Sequence, residues 1–541
     1  MESFESAVAK EYCPWVTQLR AELKRNKLCL VIGAGVSQDL DFPAWPKLLD
    51  LLSRHAEVRL EDVHLEKLSF TEQAEVLFRH FSNIRGSALR AKGVPESQLP
   101  RRIKGEWYSL MRDVLYKDAQ DEPSKDLERS SLSEMLDVIL NSPITLTYNF
   151  DDSLERMLEE HTRARRGGSA RQFEVLFEGS QPARSQGSIY HVNGYLPRKK
   201  LDAMSEDLVF SEEQFGSQFR EIVSGSYSML HRQLVTSTCL FVGVSFEDEN
   251  LRSVVRAAAG ANPGRFHFAV CWTGRGGYNN PDFRQAVDAF YFEVLNLNAL
   301  FLDNEGIRAL GRLLTPPSLP REITGCGLSA VRRYYLVGVP GAGKTTVRRR
   351  FGGVKTIPEW LELPPDAMAL RPDQMTPEQT TQVDTWVADQ IAEKDKLISQ
   401  ENEGVVLVDR SPVDAIAFPQ RGQTMAEKAR EYYDALRARN VRILEGSIIF
   451  LDAEASEVAE RLTKKRGSEN RSEDPVYKVS DLVLLSQRCK QIYEHDGWWV
   501  VKTTNKPVDE VVRKIAQIIY REEYRPIDLR GLIERATRFE N

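Results

Sequence analysis

Short apolar runs alternate with longer amphipathic stretches along most of the chain. Five of these runs end at a glycine or a polar residue: LCLVI before Gly33, ITLTY before Asn149, LFV before Gly243, YYLV before Gly338 and VVLV before Asp409. Apolar runs separated by helix-length amphipathic segments predict parallel strands covered by helices on both faces. Open parallel sheets bind ligands just beyond the carboxyl ends of their strands, so the residues after each run are candidate ligand contacts.

The hydrophobic periodicity lapses at LTPPSLPREITGCGLSA, residues 314–330, where Pro, Gly and Ser cluster. A chain of 541 residues is long enough for several domains of ordinary size. We therefore predict an α/β fold with two doubly wound parallel-sheet domains, at residues 1–315 and 331–541, joined by a linker at 316–330.

Composition narrows the choice of partners and compartment. The 73 Lys and Arg residues against 79 Asp and Glu residues give a net charge of −6, so no nucleic-acid partner is expected. The six cysteines are far apart and form no CxxC, which favours neither a disulfide framework nor a thiolate zinc site. No apolar run approaches the roughly 18 residues needed to span a bilayer. These features predict a cytoplasmic protein that does not bind membranes.

Residues 338–345 read GVPGAGKT, a complete G-x-x-x-x-G-K-[ST] phosphate loop after a strand-like run. Its glycines let backbone N–H groups close around phosphates, its lysine can reach the β- and γ-oxygens, and its threonine can ligate Mg²⁺. The loop predicts a site for ATP or another nucleoside triphosphate with Mg²⁺. The residues assigned to it are Gly338, Gly341, Gly343, Lys344, Thr345 as the metal ligand, and Thr346.

Three further segments favour a kinase. VVLVDRSPVD places Asp409 and Arg410 at a strand end, TIPEW places Glu359 downstream of the phosphate loop, and AERLTKKRGSENRSED supplies a cluster of cations that includes Arg466. Phosphoryl transfer needs a carboxylate to orient the acceptor and cations to neutralise the transferring group. From Val331 to about Tyr524 the chain resembles the deoxynucleoside kinase and thymidylate kinase superfamily, with its DR[ST] segment and arginine-rich lid.

That resemblance implies catalytic roles for Glu359, Asp409 and Arg410 and a nucleotide contact for Arg466. The alternative for the lid cations is an ordinary solvated helix. The acceptor cannot be identified from these residues.

The first half of the chain contains GAGVS at residues 33–37, but Gln38 occupies the third glycine position of the dehydrogenase fingerprint. GAGVS and the following FPAW are joined, in order, by TYNFD, YHVNGYLP, LVFSEEQF and LFVGVSFEDENLR. This series resembles the sirtuin-like NAD-binding domains of bacterial anti-phage defence proteins. The resemblance implies NAD contacts at Gly33, Ala34, Gly35, Ser37, Gly243 and Ser245.

In that family an Asn and a His at the nicotinamide ribose are needed to cleave NAD. Asn149 matches the Asn, and Asp151 is expected to orient the site or stabilise positive charge. The family His directly precedes a glycine, where this chain has Asn193. If YHVNGYL is a strand, His191 lies on the same face as Asn193 and is predicted to serve instead. A purely structural His191 is the alternative. Asp41 replaces a family glycine, and Asp tolerates a left-handed turn.

No four-cysteine zinc module of the protein deacylases is present in the sequence, which favours a hydrolase that uses water as acceptor, without excluding a cyclase or an ADP-ribosyl transferase. The hypothesis is an NAD glycohydrolase of antiviral defence, regulated by the kinase-like domain. One alternative is an active nucleoside or nucleotide kinase with an NAD-sensing domain, and another is a nucleotide-dependent scaffold. The expected partners are NAD, nucleotides, a phage-derived nucleotide or protein as trigger, and further copies of the chain.

Overall fold

The structure is a computed structural model that describes residues 3–60, 65–119, 122–166, 173–178, 180–199, 208–210, 226–246, 248–274, 278–370, 374–420, 422–468, 477–494 and 497–539, without the side chains of 66, 226, 369 and 465–468. The chain divides into two compact units. Unit 1 comprises Met1–Tyr12, Glu22–Ala261 and Phe266–Glu322, and unit 2 comprises Cys13–Ala21, Asn262–Arg265 and Ile323–Asn541.

Unit 1 is built on a seven-stranded parallel sheet. Its strands are β1 (Leu28–Ile32), β2 (Ile144–Thr147), β3 (Glu174–Leu176), β4 (Ser188–His191), β5 (Thr238–Val242), β7 (His267–Trp272) and β8 (Leu297–Leu302). They lie in the order β3-β4-β2-β1-β5-β7-β8. The connections from β1 therefore run first to one side of the sheet and later to the other, which creates a switch point between β1 and β5.

The helices of unit 1 alternate with these strands along much of the chain. They are α1 (Phe4–Lys24, shared with unit 2), α2 (Trp45–Ser53), α3 (Phe70–Ala91), α4 (Leu99–Leu115), α5 (Pro123–Arg129), α6 (Leu136–Asn141), α7 (Ser153–Arg166), α8 (Ser226–Thr236), α9 (Glu249–Ala261), α10 (Pro281–Leu295) and α11 (Asn304–Leu314). A 3-10 helix, Ala34–Leu40, follows β1 directly.

Unit 2 is built on a five-stranded parallel sheet in the order β11-β12-β9-β13-β14. Its elements are β6 (Gly264–Arg265), α12 (Arg321–Gly325, which begins in unit 1), β9 (Val331–Val337), α13 (Lys344–Arg350), β10 (Phe351–Gly352), β11 (Lys355–Ile357), α14 (Pro377–Ser399), β12 (Gly404–Asp409), α15 (Met425–Ala438), β13 (Ser447–Asp452), α16 (Ala455–Ser468), α17 (Val479–Tyr493), β14 (Trp499–Lys502), α18 (Val508–Arg521) and α19 (Leu529–Ala536). The short strands β6 and β10 pair in parallel.

The predicted α/β class with two parallel sheets is confirmed, and so are the strands expected at the five apolar runs, which form β1, β2, β5, β9 and β12. These five strands are buried at every position except two residues of β9. Burial on both faces explains why each reads as a continuous apolar run rather than an alternating one. Among the described residues, no helix is long and apolar enough to cross a membrane.

The main division between the units falls between Glu322 and Ile323, inside the segment 316–330 where the sequence indicates a linker. The sequence did not indicate that residues Cys13–Ala21 are part of unit 2. They lie on α1, whose backbone leaves helical geometry at Tyr12, two residues before Pro14. Proline removes a helical hydrogen bond and clashes with the preceding turn, which accounts for a kink at this point.

A buried ion pair ties this segment into unit 2. Arg20 Nε donates to Glu403 Oε2 at 2.5 Å, and both side chains are almost completely buried. Gln18 on the same segment accepts a 2.7 Å hydrogen bond from the backbone N–H of Val405, at the start of β12. Unit 2 therefore depends on residues that lie far before it in the sequence.

Arg20→Ala should destabilise unit 2 by about 3–5 kcal/mol, because it leaves the Glu403 carboxylate buried without its charge partner. Urea unfolding followed by tryptophan fluorescence measures the loss. Lys396→Ala is the matched control, since it removes an exposed ion pair with Glu393 in the same unit and should cost under about 1 kcal/mol. Equal effects of the two substitutions would contradict an anchoring role for Arg20.

Candidate functional site

Two glycine-containing loops meet at the switch point of unit 1. The N–H of Gly35, after β1, donates to the carbonyl of Gly243, after β5, at 2.9 Å. A Cβ on Gly33 would lie only 2.4 Å from that same carbonyl oxygen, so a larger residue at position 33 cannot be accommodated without movement of backbone. The GAG segment is therefore required for the close approach of the two loops. Ala34 and Ser245, which flank this contact, are exposed to solvent.

A chain of hydrogen bonds runs inward from this point. Asn149 Nδ2 donates to Ser37 Oγ at 2.7 Å, and Ser37 Oγ donates to Asp151 Oδ2 at 3.3 Å. All three side chains are buried. The amide oxygen of Asn149 is also buried and has no hydrogen-bond partner within the described part of the chain. An orphaned buried acceptor is costly, and it is satisfied if a ligand or a water donates to it.

Asp151 carries a carboxylate that titrates near neutrality. Burial raises the pKa of Asp151 to about 6, although hydrogen bonds from the backbone and hydroxyl of Ser153 act in the opposite direction. The neighbouring carboxyls of Asp152 and Glu155 add to the increase. A group with a pKa in this range can both carry negative charge and accept a proton at neutral pH.

The sequence segments of the first half converge on this edge of the sheet. Trp45 stacks on Phe210 with ring centroids 4.7 Å apart, and Phe150 meets Phe210 edge-on at 6.0 Å. The N–H of Val209 donates to the carbonyl of Asn193 at 2.8 Å. Four motifs that are far apart in the sequence thus form one cluster of side chains and loops. The residues of LVFSEEQF after Phe210 lie outside the described residues.

His191 is completely buried, and both of its ring nitrogens are engaged. Nδ1 lies 2.8 Å from the carbonyl oxygen of Asn149, and Nε2 lies 2.8 Å from Glu155 Oε1. Burial by itself lowers the pKa of His191, but the Glu155 carboxylate and the Asn149 carbonyl outweigh it and leave the pKa above its usual value. In this arrangement His191 holds the backbone of Asn149, and neither nitrogen is free to take a proton from a substrate.

The expected strand YHVNGYL is shorter than the sequence indicated, because β4 ends at His191 and residues 192–193 form a turn. The strand alternation on which a shared face for His191 and Asn193 was predicted therefore does not extend to Asn193. Asn193 instead directs Nδ2 toward the carbonyl of Tyr148 at 3.4 Å, and its buried amide oxygen has no partner among the described residues. Asp41 does adopt the left-handed backbone that its replacement of a glycine suggests, with φ of 64°.

The His191–Glu155 pair has a pH signature. Because the folded-state pKa of His191 is raised, its contribution to stability is complete below the unfolded pKa of about 6.5 and is lost as pH rises through the folded value. Glu155→Gln should therefore reduce the unfolding free energy of unit 1 more at pH 6 than at pH 9. Urea unfolding of wild type and variant at the two pH values tests this. An equal loss at both pH values would show that no charged pair forms.

The phosphate loop of unit 2 follows β9, the central strand of its sheet. Lys344 Nζ donates to the carbonyls of Gly338 and Val339 at 2.7 and 2.9 Å. Burial lowers the pKa of Lys344 to about 8, and the nearby Arg410 contributes in the same direction. A buried ammonium whose hydrogen bonds, within the described part of the chain, go to loop carbonyls is suited to gain from the oxygens of a bound phosphate. Thr346, two residues on, is exposed.

Asp409 ends β12, directly beside the phosphate-loop strand. Thr345 Oγ1 donates to Asp409 Oδ2 at 2.8 Å, and Arg348 Nε lies 3.6 Å from the same oxygen. The second carboxylate oxygen of Asp409 is buried and has no hydrogen-bond partner in the described ranges. Burial raises the pKa of Asp409, and the nearby Glu359 carboxylate adds to this effect. A hydroxyl and a carboxylate at this spacing are the oxygen donors that Mg²⁺ prefers.

A second carboxylate lies across the site. Arg410 Nε donates to Glu359 Oε1 at 2.5 Å, and its Nη1 donates to Asp414 Oδ2 at 3.2 Å. Burial by itself raises the pKa of Glu359, but Arg410 and Lys344 outweigh it and lower the pKa to about 2. Glu359 is therefore ionised at neutral pH and accepts hydrogen bonds, which suits a group that orients an acceptor hydroxyl.

The predicted lid contact is only partly visible. The backbone of Arg466 lies in α16, but its side chain is outside the described residues. Arg461, on the same helix, pairs with Glu457 at 2.5 Å and donates to the carbonyl of Thr503 at 2.9 Å. These contacts account for Arg461 without a ligand.

Three residues that the sequence did not single out belong to these two sites: Glu155, Asp414 and Lys394. Asp414 lies within the DRSPVD segment, so its spacing from Arg410 was a usable signal. Glu155 and Lys394 lie inside charged helices, where a buried carboxylate or ammonium has no distinguishing sequence pattern.

No curated protein matches the chain. Two solved structures of deoxyadenosine kinase from M. mycoides, one with dCMP and dCDP and one with dATP, share 17% and 16% identity with it. Each alignment covers 34% of this chain and 96% of the kinase, with a TM-score of 0.27, which supports no functional inference. The SIR2-like domain family matches residues 143–298, which run from the start of β2 into β8. Residues 143–298 therefore form a SIR2-like domain, and this match supports an NAD-related function for that part of the chain.

Proposed function

We propose that unit 1 binds NAD and hydrolyses it to nicotinamide and ADP-ribose. The observation that carries this proposal is the buried amide oxygen of Asn149, which has no partner among the described residues while its Nδ2 is fixed by Ser37. It lies at the carboxyl edge of a parallel sheet, in the part of the chain that matches SIR2-like domains. An acceptor oriented in this way can hold a ribose hydroxyl or an attacking water.

The proposed reaction is water attack at C1′ of the nicotinamide ribose. Departure of neutral nicotinamide leaves positive charge on the ribose ring, in an oxocarbenium-like transition state. Asp151 supplies negative charge near that cation, and its pKa of about 6 allows it to take the proton that the water releases. Asn149 orients the water or the hydroxyl beside it. His191 and Glu155 act as positioning residues. His191 contacts the backbone carbonyl of Asn149, Glu155 holds the His191 ring, and neither ring nitrogen is left to accept a proton.

Purified protein incubated with NAD and analysed by chromatography tests the proposal. Release of nicotinamide with free ADP-ribose supports a hydrolase, whereas a cyclic product or a modified protein identifies a cyclase or a transferase. Tight NAD binding with no product would overturn hydrolysis and leave unit 1 as an NAD sensor. Neither binding nor turnover would overturn both the hydrolase and the NAD-sensor readings of unit 1.

A second candidate function, phosphoryl transfer by unit 2, is favoured by a specific arrangement. The phosphate loop, the Thr345–Asp409 contact and the Arg410–Glu359 ion pair lie along the edge of a single sheet. Thr345 and Asp409 would hold Mg²⁺, which would neutralise charge on the phosphates. Lys344 would bind the phosphate oxygens, Arg410 would hold Glu359, and Glu359 would orient the acceptor hydroxyl.

Glu359→Gln should lower transfer of the γ-phosphate to an acceptor about 100-fold or more, since the amide loses the charge that orients the hydroxyl. Affinity for the triphosphate should change little, because the phosphate loop is untouched. A panel of nucleosides and nucleoside monophosphates with ATP, followed by product chromatography, provides the measurement. Glu393→Gln, which alters an exposed carboxylate on α14, is the control. Undiminished transfer by Glu359→Gln would remove Glu359 from the reaction.

We further propose that nucleotide occupancy of unit 2 controls NAD hydrolysis, and that the protein acts in antiviral defence in the cytoplasm. The reason is physiological: an unrestrained NAD hydrolase would deplete the NAD of its own cell. The trigger would be a nucleotide or protein that appears on infection, and assembly of several copies would couple their sites.

A further inference from the structure

Lys394 lies in the charged half of α14, in the sequence AEKDKLIS, yet its side chain is 2% exposed. Its Nζ donates to the carbonyl of Asp409 at 2.7 Å and approaches the carbonyls of Glu359 and Arg410 at 3.4 Å each. Burying an ammonium is costly unless its protons find acceptors. Here three backbone carbonyls supply them.

The identity of those carbonyls is informative. They belong to Glu359, Asp409 and Arg410, three of the residues of unit 2 whose side chains take part in the proposed chemistry. Glu359 lies two residues after the end of β11, Asp409 ends β12, and Arg410 has a left-handed backbone with φ of 66°. A left-handed conformation at a residue other than glycine persists only where its surroundings hold it. The ammonium therefore links the ends of β11 and β12 at a point where the backbone adopts an unfavourable conformation.

The balance of charge supports the same conclusion. Asp409, Glu359 and Asp414 favour the charged form of Lys394, while burial and Arg410 oppose it; burial is the larger effect and lowers the pKa of Lys394 to about 8. The hydrogen bonds described for this ammonium all go to backbone carbonyls rather than to a carboxylate. It is thus used to fix main-chain positions instead of forming a direct ion pair.

We propose that Lys394 is a positioning residue for phosphoryl transfer in unit 2. It holds the backbone of Glu359 against that of Asp409 and Arg410, so that the orienting carboxylate and the phosphate-side carboxylate keep a fixed separation. This inference rests on the proposed phosphoryl transfer. Displacement of a positioned group by about 1 Å is enough to cost about 100-fold in rate.

Lys394→Met keeps the length of the side chain and removes the ammonium. We expect kcat for phosphoryl transfer to fall about 100-fold, while the KM for the triphosphate changes less than about threefold, because Lys344 and the loop glycines bind the phosphates. Lys394→Arg, which retains the donors, should recover part of kcat. The matched control is Lys428→Met, which removes an equally buried lysine of unit 2 that pairs with Asp384. It should leave kcat unchanged.

A second readout does not depend on transfer. Trp360 directly follows Glu359 and packs on Trp386 of α14, with ring centroids 4.9 Å apart. Its fluorescence, obtained as the difference between each protein and its Trp360→Phe counterpart, reports the position of this segment. We expect Lys394→Met to shift this emission, Lys394→Arg to restore it, and Lys428→Met to leave it unchanged.

The two readouts separate two kinds of failure. A wild type that binds triphosphate but transfers no phosphate to any acceptor overturns the proposed kinase activity, and the positioning role of Lys394 in that reaction falls with it. If the wild type transfers phosphate, unchanged kcat and unchanged Trp360 emission in Lys394→Met overturn the positioning role alone. Equal losses of kcat in Lys394→Met and Lys428→Met, with equal losses of thermal stability, would reduce Lys394 to a general stabilising residue.

Discussion

Asn149→Ala is expected to lower nicotinamide release from NAD by about 100-fold or more, the effect of removing one preorganised polar group from a buried reaction site. The substitution deletes the orphaned amide oxygen and also the Nδ2 group that donates to Ser37. It therefore breaks the hydrogen-bond chain that leads from Asn149 through Ser37 to Asp151. Chromatographic measurement of nicotinamide gives the rate. Thermal unfolding of the variant establishes that the fold is retained.

Asn141→Ala is the matched control for this variant. Asn141 ends α6 in the same unit, and its exposed amide donates to the carbonyl of Asp137. It should retain full NAD cleavage. If a folded Asn149→Ala protein releases nicotinamide at the rate of the wild type, the catalytic assignment of Asn149 is overturned, whatever the control shows.

Lys344→Ala should weaken triphosphate binding by about 10- to 100-fold, the range expected for loss of a charge-assisted hydrogen bond. The ammonium is already desolvated and held by two loop carbonyls, so it makes new contacts with phosphate without further burial. Calorimetric titration with ATP measures the effect. Lys355→Ala, which removes a partly exposed lysine of β11 that pairs with Glu401, should leave binding unchanged.

The same variant tests the proposed control of unit 1. If occupancy of unit 2 changes the energetics of NAD cleavage, Lys344→Ala should lose the response to nucleotides and become either permanently silent or permanently active. A silent variant would mean that the bound triphosphate drives activation, and an active one that it restrains the hydrolase. Identical nucleotide responses of variant and wild type, despite weaker binding, would make unit 2 an independent kinase.

Much of the fold could be predicted from the sequence. Apolar runs of parallel strands and the glycine-rich turns after them are local patterns, so β1, β2, β5, β9 and β12 were identified with the loops that follow them. The phosphate loop was identified for the same reason. The length of β4 could not be predicted in this way, because a strand ends where the neighbouring strand no longer pairs with it. Here β2 ends at Thr147, which lies opposite His191.

The sequence by itself determined the two parallel sheets, the edges at which ligands are expected, and the residue types at those edges. Only the tertiary structure decided which partners those residues have. Asn149 and Ser37 are 112 positions apart, and Arg20 and Glu403 are 383 apart. Periodicity reports whether a residue faces a core, whereas hydrogen-bond partners depend on how distant elements pack. For this reason the ring nitrogens of His191 and the ammonium of Lys394 acquired their roles only in the folded chain.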